Sequence, residues 1–378
     1  MFTVVWQYPI SQPITAMTML ECESYNDVQG TRWQDYLKFH YQYALALAVN
    51  STLDRAHEDG MFGLGARRYQ EFNDPAVVVN SFFNELVNNI PPPLAPEPID
   101  PVMYFGLRPI PLGTPVEEEH LYESFWTMNG WACPNKPEFS PKIRVLPASS
   151  ATLGVPEEYR YWDVDLVRMQ IRTRREDGRW DVMEIPLRGE DTQAEQGEST
   201  ASGSSSKDGP WQASLRVTLD TGSSLSYLPK QAIEAIALYF NAGSSTHLVA
   251  NDEEDNDPIE TYQIPDGEFS SDHDKREVAL HFRAAESRDT VAIHVPALQF
   301  LYAPHPDEED GCQSLIYTPE SSDNVYILGV NFFHVAWIAM YKPPTGAPYI
   351  RMARQGSSLE EVLMYQLPKL DAVAGQAT

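Results

Sequence analysis

Hydrophobic and polar positions alternate in short stretches along most of this chain, the period-two signature of strands with one buried face. The clearest case is residues 161–173 (YWDVDLVRMQIRT), where Trp162, Val164, Leu166 and, after a shift, Met169 and Ile171 fall on one side. Asp177-Gly178 follows as a hairpin signal, with a return strand over 179–187. Residues 39–49, 103–107, 278–282, 291–300 and 349–353 read as further strands. Residues 325–341 (VYILGVNFFHVAWIAMY) form a β-branched and aromatic run interrupted by Gly329. Helical spacing occurs in two places. Pro75 opens 75–89, where Val78, Phe82, Phe83 and Leu86 recur at helical intervals. Ile233, Ile236, Ala237 and Phe240 make one stripe over 230–241. Residues 188–210 are a polar, low-complexity loop expected to be disordered, and 251–257 and 303–311 are acidic loops.

Composition sharpens this picture. The chain has 378 residues, with 27 basic against 54 acidic side chains, so its net charge is −27. Phosphate backbones and anionic membranes repel such a surface, so neither nucleic acid nor membrane is an expected partner. Hydrophobic residues make up 42%, enough to bury a core over two domains or lobes. Thirty Pro and 21 Gly favour turns and short strands. Cys22, Cys133 and Cys312 are too few for a disulfide scaffold, and no His/Cys cluster has zinc spacing. The first residues carry no basic region before an apolar stretch and do not read as a signal peptide. The arginines at 168, 172, 174 and 175 read as a solvated strand face, and the acidic run 252–257 lacks the spacing of a calcium loop.

The candidate chemistry lies in residues 211–229 (WQASLRVTLDTGSSLSYLP). An apolar strand ends in Asp220-Thr221-Gly222-Ser223. Gly222 allows a tight turn that presents the Asp220 carboxylate, and Thr221 and Ser223 offer hydroxyls to hold it. Beside a second carboxylate such a group shares one proton, because two carboxylates about 3 Å apart cannot both ionise. One member then takes a proton from water while the other donates one. No phosphate-binding loop, dinucleotide glycine pattern, HExxH or GxSxG competes with this reading.

The order of motifs resembles the C-terminal lobe of the pepsin-like aspartic proteases: apolar strand, DTGSS, Leu228-Pro229, amphipathic helix, then Ile327-Leu328-Gly329 before a terminal apolar stretch. Residues 59–65 (DGMFGLG) are similar to an N-terminal-lobe element of that family, and Tyr161-Trp162 to the opening of its second lobe. The resemblance implies a mainly β, two-lobed acid protease fold with an incomplete N-terminal lobe. It implies an atypical segment at 1–58, an N-terminal-lobe remnant at 59–160, a C-terminal lobe at 161–355 and a polar tail at 356–378. Asp220 becomes a catalytic carboxylate, supported by Thr221, Gly222 and Ser223. The implied partner is a polypeptide substrate, the implied state a monomer, the compartment secreted or vacuolar, with no cofactor or metal.

The departures are as specific as the matches. Residues 1–58 hold no Asp-Thr-Gly or Asp-Ser-Gly; their acids are Glu21, Glu23, Asp27, Asp35, Asp54 and Glu58. No tyrosine among Tyr25, Tyr36, Tyr41 and Tyr43 has the glycine-flanked setting of a flap. Val330 replaces the family's usual Asp after ILG, and Cys312 lacks a partner cysteine near 262–269. The expectation is therefore an aspartic endopeptidase missing the front half of its N-terminal lobe. The alternatives are a catalytically inactive binding protein on the same fold, and a homodimer in which each chain gives one Asp220.

Overall fold

The period-two segments fold as strands, and the chain is mainly β. A computed structural model describes residues 15–22, 37–44, 65–66, 69–70, 79–80, 101–109, 122, 124–128, 131, 133, 135–148, 159–187, 214–241, 243–247, 259–264, 276–304, 312–319, 325–343, 345–356 and 359–365. Residues 59–64, 188–210, 251–257 and 305–311, which carry the DGMFGLG element and the polar loops, lie outside them. Among the described residues no helix is long and apolar enough to cross a membrane.

The chain divides into two compact units. The first comprises Met1–Pro101, Pro147–Trp162 and Lys342–Pro348. It contains β1 (Thr15–Cys22) paired antiparallel with β2 (Leu37–Ala44), in unbroken register from Thr15↔Ala44 to Cys22↔Leu37. It also contains β3 (Tyr69–Gln70) paired with β4 (Val79–Asn80). Here the helix expected over 75–89 fails at its described residues. Val79 and Asn80 are extended and ladder-bonded to Gln70 and Tyr69. They close a run of valines, whose branched Cβ favours strand.

The second unit comprises Val102–Leu146, Asp163–Tyr341 and Tyr349–Thr378. Its main sheet runs β15 (Thr290–Pro296), β14 (Arg276–Arg283), β8 (Asp163–Arg174), β10 (Leu215–Leu219), β19 (Tyr326–Leu328), β11 (Ser226–Tyr227), β18 (Ile316–Tyr317). The hairpin strand β9 (Trp180–Ile185) pairs with β8. On β8, Val164, Leu166, Met169 and Ile171 are buried, and Trp162 just before it is buried too. The phase shift in that pattern is a bulge: His281 lies opposite Arg168, while Phe282 lies opposite Leu166. The β8–β9 turn is a tight loop. Gly178 N–H donates to Arg175 O, and Gly178 has φ +80°, a left-handed conformation that glycine adopts without penalty.

A five-stranded sheet has the order β6 (Phe125–Met128), β5 (Val102–Gly106), β20 (Ala336–Tyr341), β21 (Tyr349–Arg354), β7 (Ile143–Arg144). Its core gathers Val102, Tyr104, Phe125, Cys133 and Trp337, with Trp131 and Phe139 packed against it. A four-stranded sheet has the order β12 (Gly243–His247), β13 (Ile259–Ile264), β17 (Cys312–Ser314), β16 (Tyr302–Pro304). Cys312 pairs in register with Ile264, within the stretch 262–269 that holds no cysteine.

Four helices are described. α1 (Lys230–Tyr239) buries Ile233, Ile236 and Ala237 of the stripe read from the sequence, together with Ala232, and Phe240 just beyond its end is buried too. α2 (Ala297–Leu301) takes over where a strand was expected to continue to 300. α3 (Val330–Phe333) interrupts the 325–341 run directly after Gly329. α4 (Leu359–Met364) forms within the expected polar tail. Its end is held by the unit's core: Asn135 Nδ2 donates to Met364 O at 2.8 Å, and Cys133 Sγ to Tyr365 O at 2.7 Å.

Candidate active site

Asp220 follows the last residue of β10, whose burial alternates Leu215, Val217, Leu219 inward. The apolar face fixes the strand, so the first residue beyond it is aimed by the core. β10 pairs parallel with β19, joining Val217, Thr218 and Leu219 to Tyr326, Ile327 and Leu328. β19 in turn pairs antiparallel with β11 through Ile327↔Tyr227. The Ile-Leu-Gly segment is therefore threaded between the two arms of the Asp-Thr-Gly loop. Asp220 N–H donates to Leu328 O at 3.1 Å, and Val330 N–H to Ser223 O at 2.8 Å.

Gly329 makes this crossing possible. Its φ of −88° suits any residue, but a Cβ would lie 2.1 Å from Leu225 O and 2.6 Å from Ser223 O. The two backbones approach too closely for a side chain.

The four residues assigned to the loop are placed as follows. Asp220 is half-buried, and its Oδ1 accepts the Gly222 N–H at 2.8 Å. Gly222 is exposed, and a Cβ there would crowd Asp220 Oδ1 at 3.1 Å. Ser223 gives its hydroxyl hydrogen to Leu225 O at 2.8 Å, not to Asp220. Thr221 is half-buried. The Ser223 hydroxyl is thus used on the backbone, and the hydrogen bond to the Asp220 carboxylate comes from a backbone amide. Among the described residues the Asp220 carboxylate has this one hydrogen bond and no ion pair.

What lies under the loop has no signature in the sequence. Ser226 and Asn331 are fully buried, at 0% and 2% exposure. Ser226 Oγ donates to Asn331 Oδ1 at 2.7 Å and accepts the Gly329 N–H at 3.0 Å. Asn331 Nδ2 donates to Phe300 O at 2.8 Å and Leu315 O at 3.3 Å. Beside β11, burial and the neighbouring Tyr227 raise the Tyr317 hydroxyl above its ordinary value.

The arginine cluster lies apart, on the β8–β9 hairpin and its neighbours. Arg168 pairs with Glu184 and Arg175 with Asp181. Arg172 stacks 4.3 Å over the Trp180 ring and bonds His294 Nδ1 at 2.8 Å. These groups are engaged with one another on the sheet. Among the described residues no group of three or more His, Cys, Asp or Glu is placed to hold a metal ion.

Residues 189–353 match the model of the family described as eukaryotic aspartyl protease. No curated protein matches the chain.

Proposed function

We propose, from the match of residues 189–353 to the eukaryotic aspartyl protease family, that the chain serves as an aspartic-type endopeptidase, cleaving polypeptides at acid pH with Asp220 as one of two catalytic carboxylates. The observation that carries this reading is the threaded loop. Asp220 stands at the end of a buried strand, tied through its own N–H to Leu328 O and through Oδ1 to Gly222 N–H. A carboxylate so fixed, yet half open to solvent, is suited to hold a proton or pass it to a bound water or carbonyl. Paired with a second carboxylate at about 3 Å it would share one proton, as the carboxylate dyad of aspartic proteases does. The resemblance to that family also carries the expectation of a secreted or vacuolar compartment.

A second reading rests on one specific observation. The 378 residues contain a single Asp-Thr-Gly and no Asp-Ser-Gly. With one carboxylate nothing splits the two pKa values, and the same fold would bind peptides without cutting them. Purified chain incubated with denatured protein across acid pH separates the two. Cleavage confined to acid pH, blocked by a pepstatin-like inhibitor and lost in Asp220→Asn, supports the endopeptidase. A folded chain that binds peptide but cleaves nothing at any pH supports the binding protein.

A further inference from the structure

The Asp220 loop rests on a buried polar relay with no counterpart in the chemistry of the carboxylate itself. Ser226 and Asn331 are 105 residues apart and meet in a site that excludes water. A buried polar pair is favourable only when its hydrogen bonds are met, and here they are. The serine hydroxyl uses its proton on Asn331 Oδ1 and a lone pair on the Gly329 N–H. The asparagine amide uses its two donors on Phe300 O and Leu315 O. Phe300 lies in α2, Leu315 precedes β18, Gly329 ends the Ile-Leu-Gly segment and Ser226 opens β11.

Four separate pieces of chain are thereby pinned at one point, directly beneath the crossing. Gly329 is what the relay holds, and its neighbours Leu328 and Val330 are what the loop is bonded to. Leu328 O receives the Asp220 N–H, and Val330 N–H reaches Ser223 O. The path from relay to carboxylate is thus one residue long on either side of Gly329.

We propose that Ser226 and Asn331 are positioning residues that hold the Ile-Leu-Gly segment at the depth that sets the Asp220 carboxylate. For the reaction itself this rests on Asp220 acting as a catalytic carboxylate; for the geometry it stands alone. Removing the hydroxyl leaves the Gly329 N–H and Asn331 Oδ1 buried without partners, and the segment relieves this by moving. Small displacements of an acid–base group are costly, about a hundredfold in rate for 1 Å.

The test compares the full chain with Ser226→Ala, Ser226→Thr, Asn331→Leu and Asp220→Asn. Amide hydrogen exchange is followed residue by residue, and turnover of denatured protein at acid pH is measured alongside. In Ser226→Ala and Asn331→Leu the Asp220 and Val330 amides are expected to exchange at least about tenfold faster, while Val278 and Leu280 in β14 stay at the wild-type rate. A purely global loss of stability would speed all four together. Turnover should fall about tenfold in kcat with KM unchanged, as for an interaction felt in the transition state. Ser226→Thr, which keeps the hydroxyl, should restore both readouts. Wild-type exchange at Asp220 and Val330 in Ser226→Ala, or uniform acceleration across β14, overturns the proposal. If Asp220→Asn keeps full turnover, or the wild-type chain itself turns nothing over, the endopeptidase reading fails, and the exchange rates still decide the positioning role.

Discussion

Gly329 and Gly178 resist substitution for opposite reasons. Gly329 has an ordinary φ but no room, with Leu225 O 2.1 Å from where a Cβ would sit. Gly178 has open space but φ +80°. Gly178→Ala should therefore cost about 1–2 kcal/mol, the left-handed penalty of an L residue. Gly329→Ala should cost about 4 kcal/mol or more, because backbone must move against backbone. Urea midpoints measure both, and equal costs would overturn the close-approach argument. The same contrast explains what was legible at this scale. Asp220 announces itself as a triplet after an apolar strand. Its real support is the Gly222 amide, and every residue but proline carries an amide, so no letter marks it. Ser226 and Asn331 are invisible for another reason: they lie 105 residues apart, and their meeting depends on how distant segments cross.

Among the elements, Asp163 ties the sheet to the site. It is buried at 4% exposure and accepts from Arg216 Nε at 2.8 Å, Arg216 Nη2 at 2.5 Å and Thr218 Oγ1 at 2.6 Å. Those partners lie on β10, the strand that ends at Asp220. Asp163→Ala removes the shared buried acceptor of Arg216 and Thr218 and should destabilise the chain by about 1–3 kcal/mol. A urea midpoint within about 0.5 kcal/mol of wild type would show the pair to be dispensable. Strands such as β8 were legible because one face is buried and the other wet, so the period of two survives in the letters. α2 and α3 were not legible, because they are short and sit inside apolar runs. In such a run nearly every position is hydrophobic and periodicity cannot tell a helical turn from a strand. Between Leu328 and Ala336 the switch is made by the tight Gly329 crossing, a tertiary fact.

For the molecule as a whole, acidification pulls stability in two directions. Net charge of −27 means self-repulsion at neutral pH, relieved as carboxylates protonate toward the isoelectric point near 4.6. Three histidines act the other way. Burial drives His334 down to about 4. Burial, then Arg168 and His294, with Arg172 adding and Glu184 opposing, lowers His281. Burial, then Arg172, with Arg354 adding and Glu277 opposing, lowers His294. Each is neutral in the folded chain where the unfolded chain, at about 6.5, already binds a proton. The stability they confer is complete above pH 6.5 and is lost as pH falls toward the folded values. For His334 alone the full loss is about 3 kcal/mol by pH 4, since each pKa unit is worth about 1.4 kcal/mol. Ordinary carboxylates titrate near 4, so between about pH 6.5 and 5 the histidines act almost unopposed. Thermal unfolding should therefore show Tm falling over that interval, and the fall should persist in high salt, which screens surface repulsion but not burial. His334→Gln, which keeps a polar side chain but cannot titrate, should flatten it. A Tm that rises steadily from pH 7 to 5 would mean that surface repulsion outweighs the buried imidazoles, and an unchanged slope in His334→Gln would mean that His334 does not cause the fall. In the expected case the folded chain nears its unfolding limit as the pH falls, and His334→Gln should keep it folded to lower pH than the wild type while leaving its Tm at pH 7 little changed.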